Sequence, residues 1–334
     1  MIDFQQDILA PVANDFAAMD HFIQTGINSK VPLVMSVSRY VVEAGGKRMR
    51  PLMCLLAARA CQNHISPNQA SQDQSNQSSL RLAAIIEMLH TATLVHDDVV
   101  DESGLRRGRP TANATWNNAT AVLVGDYLIA RAFDLLVGLG DFVLLREFSS
   151  GTCEIAEGEV LQLQYQHNPD TDEATYLKII HGKTSRLFEL ATEGAAILVS
   201  QPQYRAALKA YAGHFGNAFQ IIDDILDYTS DAETLGKNIG DDLMEGKPTL
   251  PLIAAINQSA QHEQQLLKTT IQTGGVESLD EIIRIVQQSG ALDYCRQRAT
   301  EETQRAIAAL ACLPDSIYRQ ALENLAKLAL TRIS

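Results

Sequence analysis

The chain has 334 residues, 46% hydrophobic and 20% charged, with 27 Lys and Arg against 40 Asp and Glu and a formal net charge of -13. That balance is of an ordinary globular protein rather than a disordered one, and it excludes broad nucleic-acid binding, whose affinity comes from Lys and Arg on phosphates. No apolar run reaches the roughly 18 residues that read as a transmembrane helix, so none is expected.

The opening segment, MIDFQQDILAPVANDFAAMDHF, carries Asp3, Asp7 and Asp15 and no Lys or Arg. It lacks the basic start of a secretory signal, and a cytoplasmic location is expected. Cys54, Cys61, Cys153, Cys295 and Cys312 are odd in number and form no CxxC, which argues against a disulfide framework and a zinc site. Apolar residues recur at three- and four-residue spacing through most of the chain, and Gly and Pro are sparse, so the fold class is all-α.

Basic residues beside glycines appear first at GGKRMRP (45–51). The Ser-, Gln- and Asn-rich stretch NHISPNQASQDQSNQSS (63–79) reads as a long polar loop. A helix follows: Leu82, Ile85, Ile86, Leu89 and Thr93 form one stripe, with no Gly or Pro before Gly104. It runs into DDVVD (97–101) and then the pair Arg106 and Arg107. HNPDTDEA (167–174) reads as a second loop, ahead of GKTSR (182–186). Phe215, Phe219, Ile222 and Leu226 mark another helix, which carries DDILD (223–227), and GKNIGDDLMEGKP (236–248) adds further basic groups. The C-terminal third has the polar-rich look of surface helices.

The Asp-Asp-x-x-Asp motif therefore occurs twice. On a helix, Asp97 and Asp101 stand one turn apart on one face with Asp98 beside them, and Asp223, Asp224 and Asp227 repeat the arrangement. Such clusters repel unless cations neutralise them. Hard carboxylate oxygens suit Mg²⁺, which favours one or two carboxylates plus phosphate oxygens and water. One acidic motif could be a solvated face, but two, each directly after an apolar run, point to a cavity or metal site. Lys and Arg near glycine approach phosphate closely. Nothing fits GxxxxGK[ST], so a nucleotide-hydrolysing loop is not supported.

These motifs, in this order and over nearly the whole chain, resemble the trans-prenyltransferases, the polyprenyl diphosphate synthases, and most closely the bacterial octaprenyl type. The resemblance implies a single domain over 1–334: roughly a dozen mostly antiparallel helices around a deep central cavity, working as a homodimer. It implies two or three Mg²⁺ ions with bound diphosphate, held by Asp97, Asp101 and Asp223, with Asp98, Asp224 and Asp227 in support. The partners implied are an allylic diphosphate, farnesyl diphosphate as the expected primer, and isopentenyl diphosphate. Arg106, Lys183, Thr184, Gln220 and Lys237 would serve the first, with Lys247 a weaker candidate. Lys47, Arg50, His90 and Arg107 would bind the second. The product would be an all-trans polyprenyl diphosphate for a quinone side chain, as in ubiquinone, handed to the membrane. No side-chain base stands out for the last proton; the departing diphosphate is one acceptor and His96 another, with orienting the Asp97 carboxylate as the alternative role of His96.

Ala92 and Thr93 lie five and four residues before Asp97, about one turn along the direction a growing tail would take. Both are small. Short-chain relatives resemble this site but carry an aromatic there, so a longer product is implied, with octaprenyl diphosphate expected. The alternatives are a farnesyl or geranylgeranyl synthase, disfavoured by Ala92 and Thr93, and a noncatalytic partner subunit, disfavoured by two intact motifs. A terpene cyclase needs no second-substrate residues such as Lys47, Arg50 and Arg107. A metal phosphohydrolase built on HDD (96–98) would want histidines at ligand spacing.

Overall fold

The stripe at Leu82, Ile85, Ile86 and Leu89 is 0–5% exposed, on a helix that runs from Gln69 to Val100. Burying four such side chains contributes about 1.5–3 kcal/mol each, which makes this helix the spine of its surroundings. The structure, a computed structural model, describes residues 2–62, 69–229, 240–274 and 278–331. Among them the chain is helical apart from turns and one hairpin, in which Leu105–Arg106 (β1) pairs antiparallel with Arg109–Pro110 (β2). The all-α expectation holds. The polar loop expected over 63–79 does not hold beyond its first part: residues 69–79 continue the long helix N-terminally, and 63–68 lie outside the described residues. Polar composition misled because Gln, Ser and Asn on a helix joined to a buried apolar run are carried by its packing.

Contacts gather into two compact units, both discontinuous in sequence. One comprises Met1–Gly151, Leu187–Ala210 and Ala309–Leu325. It holds α1 (Ala13–Gly26), α2 (Pro32–Glu43), α3 (Met49–Gln62), the long helix α4 (Gln69–Val100), the hairpin, α5 (Ala112–Thr115) and α6 (Asn118–Val137). Helix α4 packs against α1, α3 and α6. Arg59 on α3 grips Asp15 on α1 with a two-pronged bond of 2.8 and 2.9 Å. The start of α2 is set by Pro32, whose missing N–H costs nothing there.

The other unit comprises Thr152–Arg186, Tyr211–Ala308 and Ala326–Ser334. It holds the latter half of α7 (Phe142–Tyr165), α8 (Glu173–Ile180) and a π-helical turn over His181–Ser185, which runs into α9 (Arg186–Leu198). It also holds the C-terminal part of α10 (Pro202–Thr229), followed by α11 (Asp241–Met244), α12 (Leu250–Gln258), α13 (Gln261–Thr273), α14 (Leu279–Gln288) and α15 (Ala291–Ala309). The last helix, α16, covers Ile317–Leu330. Among the described residues no helix is long and apolar enough to cross a membrane.

Candidate active site

The first aspartate motif closes α4. Asp101 is the residue just past the helix, but its N–H still reaches the Asp97 carbonyl at 2.8 Å, so the two acids stay one turn apart. The chain then turns through Glu102, whose φ of 51° is left-handed. Asn113 caps the end, donating to the carbonyls of Asp98 and Ser103 at 3.1 Å each. Asp97 and Asp101 are half-buried and Asp98 is buried. Arg106 Nε donates to Asp98 Oδ1 at 2.7 Å. Burial pushes the Asp98 carboxyl up, and Arg106 opposes the shift. Arg106, expected on the allylic substrate, is thus also the anchor of the middle aspartate.

The same unit collects the residues expected on isopentenyl diphosphate. Arg50 donates from Nη1 to His90 Nε2 at 3.2 Å and stacks over the Phe188 ring with Cζ 4.1 Å from its centroid. Burial holds the His90 imidazole well below its usual range, reinforced by Arg50, Arg107 and Arg106. A neutral ring accepting from a guanidinium carries its proton on Nδ1. Arg107 sits at a left-handed φ of 54°, and its guanidinium covers Gly46 so closely that a Cβ there would lie 2.5–2.8 Å from it. Lys47, the next residue, is exposed. Arg48, not singled out in the sequence, also has positive φ, 45°, and pairs with Asp20 at 2.7 Å. A cleft enclosing about 590 Å³, including space open to solvent, is lined by Tyr40, Arg48, Glu87, Asp98, Arg106 and Arg107, among others.

His96 turns its Nε2 toward α6. Its Nε2 lies 3.2 Å from the Val122 carbonyl and 3.5 Å from Asp126 on α6, and a Cβ on Gly125 would fall 2.2 Å from that nitrogen. It docks α4 onto α6. Adjacency to Asp97 in sequence was uninformative, because successive helix residues point about 100° apart.

The second motif lies within α10, in the other unit. Asp224, 2% exposed, accepts from Tyr176 at 2.6 Å and from Gln220 Nε2 at 2.8 Å. Burial drives its carboxyl well above the carboxylate range, Asp242 adds to this, and the two donors oppose it. Gln220 Oε1 in turn accepts from Thr184 at 2.9 Å. Three expected site residues therefore form one hydrogen-bonded chain that ends on the buried Tyr176. Lys183 pairs with Glu159 at 2.8 Å. Asp223 is half-buried and Asp227 buried. Lys247 pairs with Glu245, and Lys237 lies outside the described residues.

Lys183 and Thr184 are presented by the π-helical turn over His181–Ser185, a distortion frequent at functional sites. Two glycines make room for it. A Cβ on Gly158 would lie 2.7 Å from Lys183 N and 2.8 Å from Gly182 C, and one on Gly216 would lie 2.6 Å from Ser185 Cα. Both would press on backbone, which cannot swing aside. Ser185 donates to Asn217, and Asn217 donates to Glu302, which also pairs with His214. Gly158→Ala is expected to cost about 1–3 kcal/mol, read as a lowered denaturation midpoint, and to raise the KM for the allylic diphosphate. An unchanged midpoint would show that the turn tolerates displacement.

The two motifs share one design. In each, the second aspartate is buried and hydrogen-bonded by protein donors, Arg106 in one and Tyr176 with Gln220 in the other, while the first is half-buried. Paired hard carboxylates one turn apart are the donors Mg²⁺ takes, with phosphate oxygens and water as its other ligands. Sequence reasoning missed Arg48, Glu159, Tyr176 and the Asn217–Glu302 pair, whose partners lie far away in sequence.

The profile of the polyprenyl synthetase family matches residues 31–288. The chain belongs to that family. This polyprenyl synthetase is 72% identical over 332 residues, 99% of both chains, to the all-trans-nonaprenyl-diphosphate synthase (geranyl-diphosphate specific) of Rhodobacter capsulatus. It is 44% identical over 322 residues, 96% of both chains, to the octaprenyl diphosphate synthase of Escherichia coli K12. A polyprenyl synthase from Caulobacter crescentus, crystallised with calcium and isoprenyl diphosphate, superposes with a TM-score of 0.89 at 39% identity, covering 98% of this chain and 97% of its own. The polyprenyl synthetase therefore has the isoprenoid synthase fold and is an enzyme, a trans-polyprenyl diphosphate synthase.

Proposed function

We propose that this enzyme extends an allylic diphosphate with successive isopentenyl diphosphates to an all-trans product of eight or nine isoprene units. Identity of 72% to a chain named for nine units and for geranyl diphosphate favours nine units and that primer over the octaprenyl product and farnesyl primer expected from sequence. The observation that carries the long-chain reading is Ala92, a small side chain one turn before Asp97 and 0% exposed, where no aromatic stands.

In the proposed reaction, the allylic C–O bond breaks, the terminal alkene carbon of isopentenyl diphosphate bonds to the freed carbon, and a proton leaves. Asp97, Asp101 and Asp223 would hold Mg²⁺, and bound Mg²⁺ would neutralise the departing diphosphate. Asp98 and Asp224, engaged by Arg106, Tyr176 and Gln220, keep the motifs rigid. Lys183, Thr184, Gln220, Arg106, and with them Lys237 and Lys247, serve the allylic diphosphate. Lys47, Arg50, His90 and Arg107 orient the second diphosphate, and neutral His90 adds a hydrogen bond without further charge. No residue of the chain is assigned the final proton, which fits uptake by the diphosphate.

The whole chain acts as one catalytic domain, cytoplasmic, with its product passed to the membrane for a quinone side chain. It works as a homodimer. Val122, Leu123 and Val137 on α6, with Phe142 and Val143 at the start of α7, are 38–86% exposed and are apolar side chains that a second copy would cover. Incubation with geranyl or farnesyl diphosphate and labelled isopentenyl diphosphate tests the reading. Chromatography should show products of eight or nine units, and a product that stops at fifteen or twenty carbons would sink it.

A further inference from the structure

Glu302, on α15, is a buried acid that the proposed reaction does not use. It is 3% exposed, and both its oxygens are engaged: Oε2 accepts from His214 Nδ1 at 2.8 Å and from Asn217 Nδ2 at 3.2 Å, and Oε1 accepts from Arg305 at 2.9 Å. Burial pushes its carboxyl up, but these donors outweigh burial and hold it below its usual range. A carboxylate only accepts, so it turns the Asn217 amide with its NH2 toward α15 and its oxygen toward Ser185, whose Oγ donates to Oδ1 at 2.7 Å. Ser185 is 0% exposed and ends the π-helical turn that presents Lys183 and Thr184. Tyr294 and Arg298 precede Glu302 by eight and four positions, on successive turns of one face of α15. Both donate to Glu173, the first residue of α8, Arg298 at 2.9 Å. One face of α15 therefore grips the helix that leads into the turn and the helix packed behind it, α10.

We propose that Glu302 is a positioning residue for the allylic diphosphate site: through Asn217 and Ser185 it pins the π-helical turn from behind, so that Lys183 and Thr184 are already set when the diphosphate arrives. The inference rests on the reading of Lys183 and Thr184 given under Proposed function. A π-helical turn is an irregular piece of backbone that its own hydrogen bonds hold less firmly than an α-helix holds its residues. Fixing it before binding lowers the ordering cost that binding would otherwise carry. The relay supplies that fixing at Ser185, the residue after Thr184, where Gly216 also lets α10 come close. Glu302 touches neither substrate in this account. Its effect passes through the turn.

Glu302→Gln keeps the size of the side chain and removes its charge, and an amide that both donates and accepts no longer fixes the direction of Asn217. Steady-state kinetics with each substrate varied in turn should show the KM for the allylic diphosphate raised about five- to tenfold, the scale of one hydrogen bond. The KM for isopentenyl diphosphate and kcat should stay within about twofold of the starting enzyme. A lowered denaturation midpoint with both KM values unmoved, or equal rises in both, would overturn the proposal and leave Glu302 a packing residue. Should Glu302→Gln not fold, Ser185→Ala cuts the far end of the relay by deleting one hydroxyl. The same selective rise is expected there, and a KM for the allylic diphosphate equal to that of the unaltered enzyme overturns the proposal. Elongation by the unaltered enzyme is the control for the underlying reading. If it does not elongate an allylic diphosphate, that reading fails; if it elongates and the variant's KM is unmoved, only the role of Glu302 fails.

Discussion

Asp97→Asn and Asp223→Asn should each lower kcat/KM for the allylic diphosphate by about 10²- to 10³-fold, the scale on which preorganised transition-state stabilisers act, while shifting the denaturation midpoint little. Both residues are half-buried first members of their motifs, and Asn keeps their shape while removing the charge that would hold Mg²⁺. The neighbouring positions supply the contrast. Asp98 and Asp224 are buried and bonded to Arg106 and to Tyr176 with Gln220, so Asp98→Asn leaves Arg106 poorly matched and lowers stability as well as activity. Rates at saturating and limiting Mg²⁺, with thermal denaturation of each variant, separate the two classes. If Asp97→Asn retained more than a tenth of the starting activity, that aspartate would not be a metal ligand.

Ala92→Tyr should move the product from the long class to fifteen or twenty carbons. Ala92 lies about 7.5 Å along α4 from Asp97 at 1.5 Å per residue, roughly the length of one to two isoprene units, and it is fully buried. An added phenol must displace whatever the tail would occupy, at a packing cost of about 1–3 kcal/mol that a helix as deeply packed as α4 can bear. Thr93 is the weaker choice for this block because its hydroxyl is committed to the His90 carbonyl at 2.8 Å. Product chain length by reversed-phase chromatography, with diphosphate release as the measure of turnover, gives the answer. Unchanged length at normal turnover would place the tail on another face of α4.

Much of the site was legible because its chemistry repeats. Two Asp-Asp-x-x-Asp motifs, each after an apolar helical run, carry their meaning in spacing alone, since i, i+4 residues on a helix must share a face. Periodicity also determined the all-α class and the buried stripe from Leu82 to Leu89. Composition failed at residues 69–79, where a polar stretch is helical because the buried run it continues pays its nucleation.

Other features depended on contacts between segments distant in sequence. Tyr176 reaches Asp224 across 48 residues, and Glu302 serves Asn217 across 85; neither pairing leaves a mark in local spacing. The same holds for His96, which sits beside the aspartates in sequence yet bonds to α6. The sequence by itself determined the paired acidic motifs and the family resemblance they carry, which implied the chemistry, because ligand charge and helical period are local properties. Only the tertiary structure decided which aspartates are restrained and by which donors, because burial and the charge it makes costly exist only once distant segments have packed.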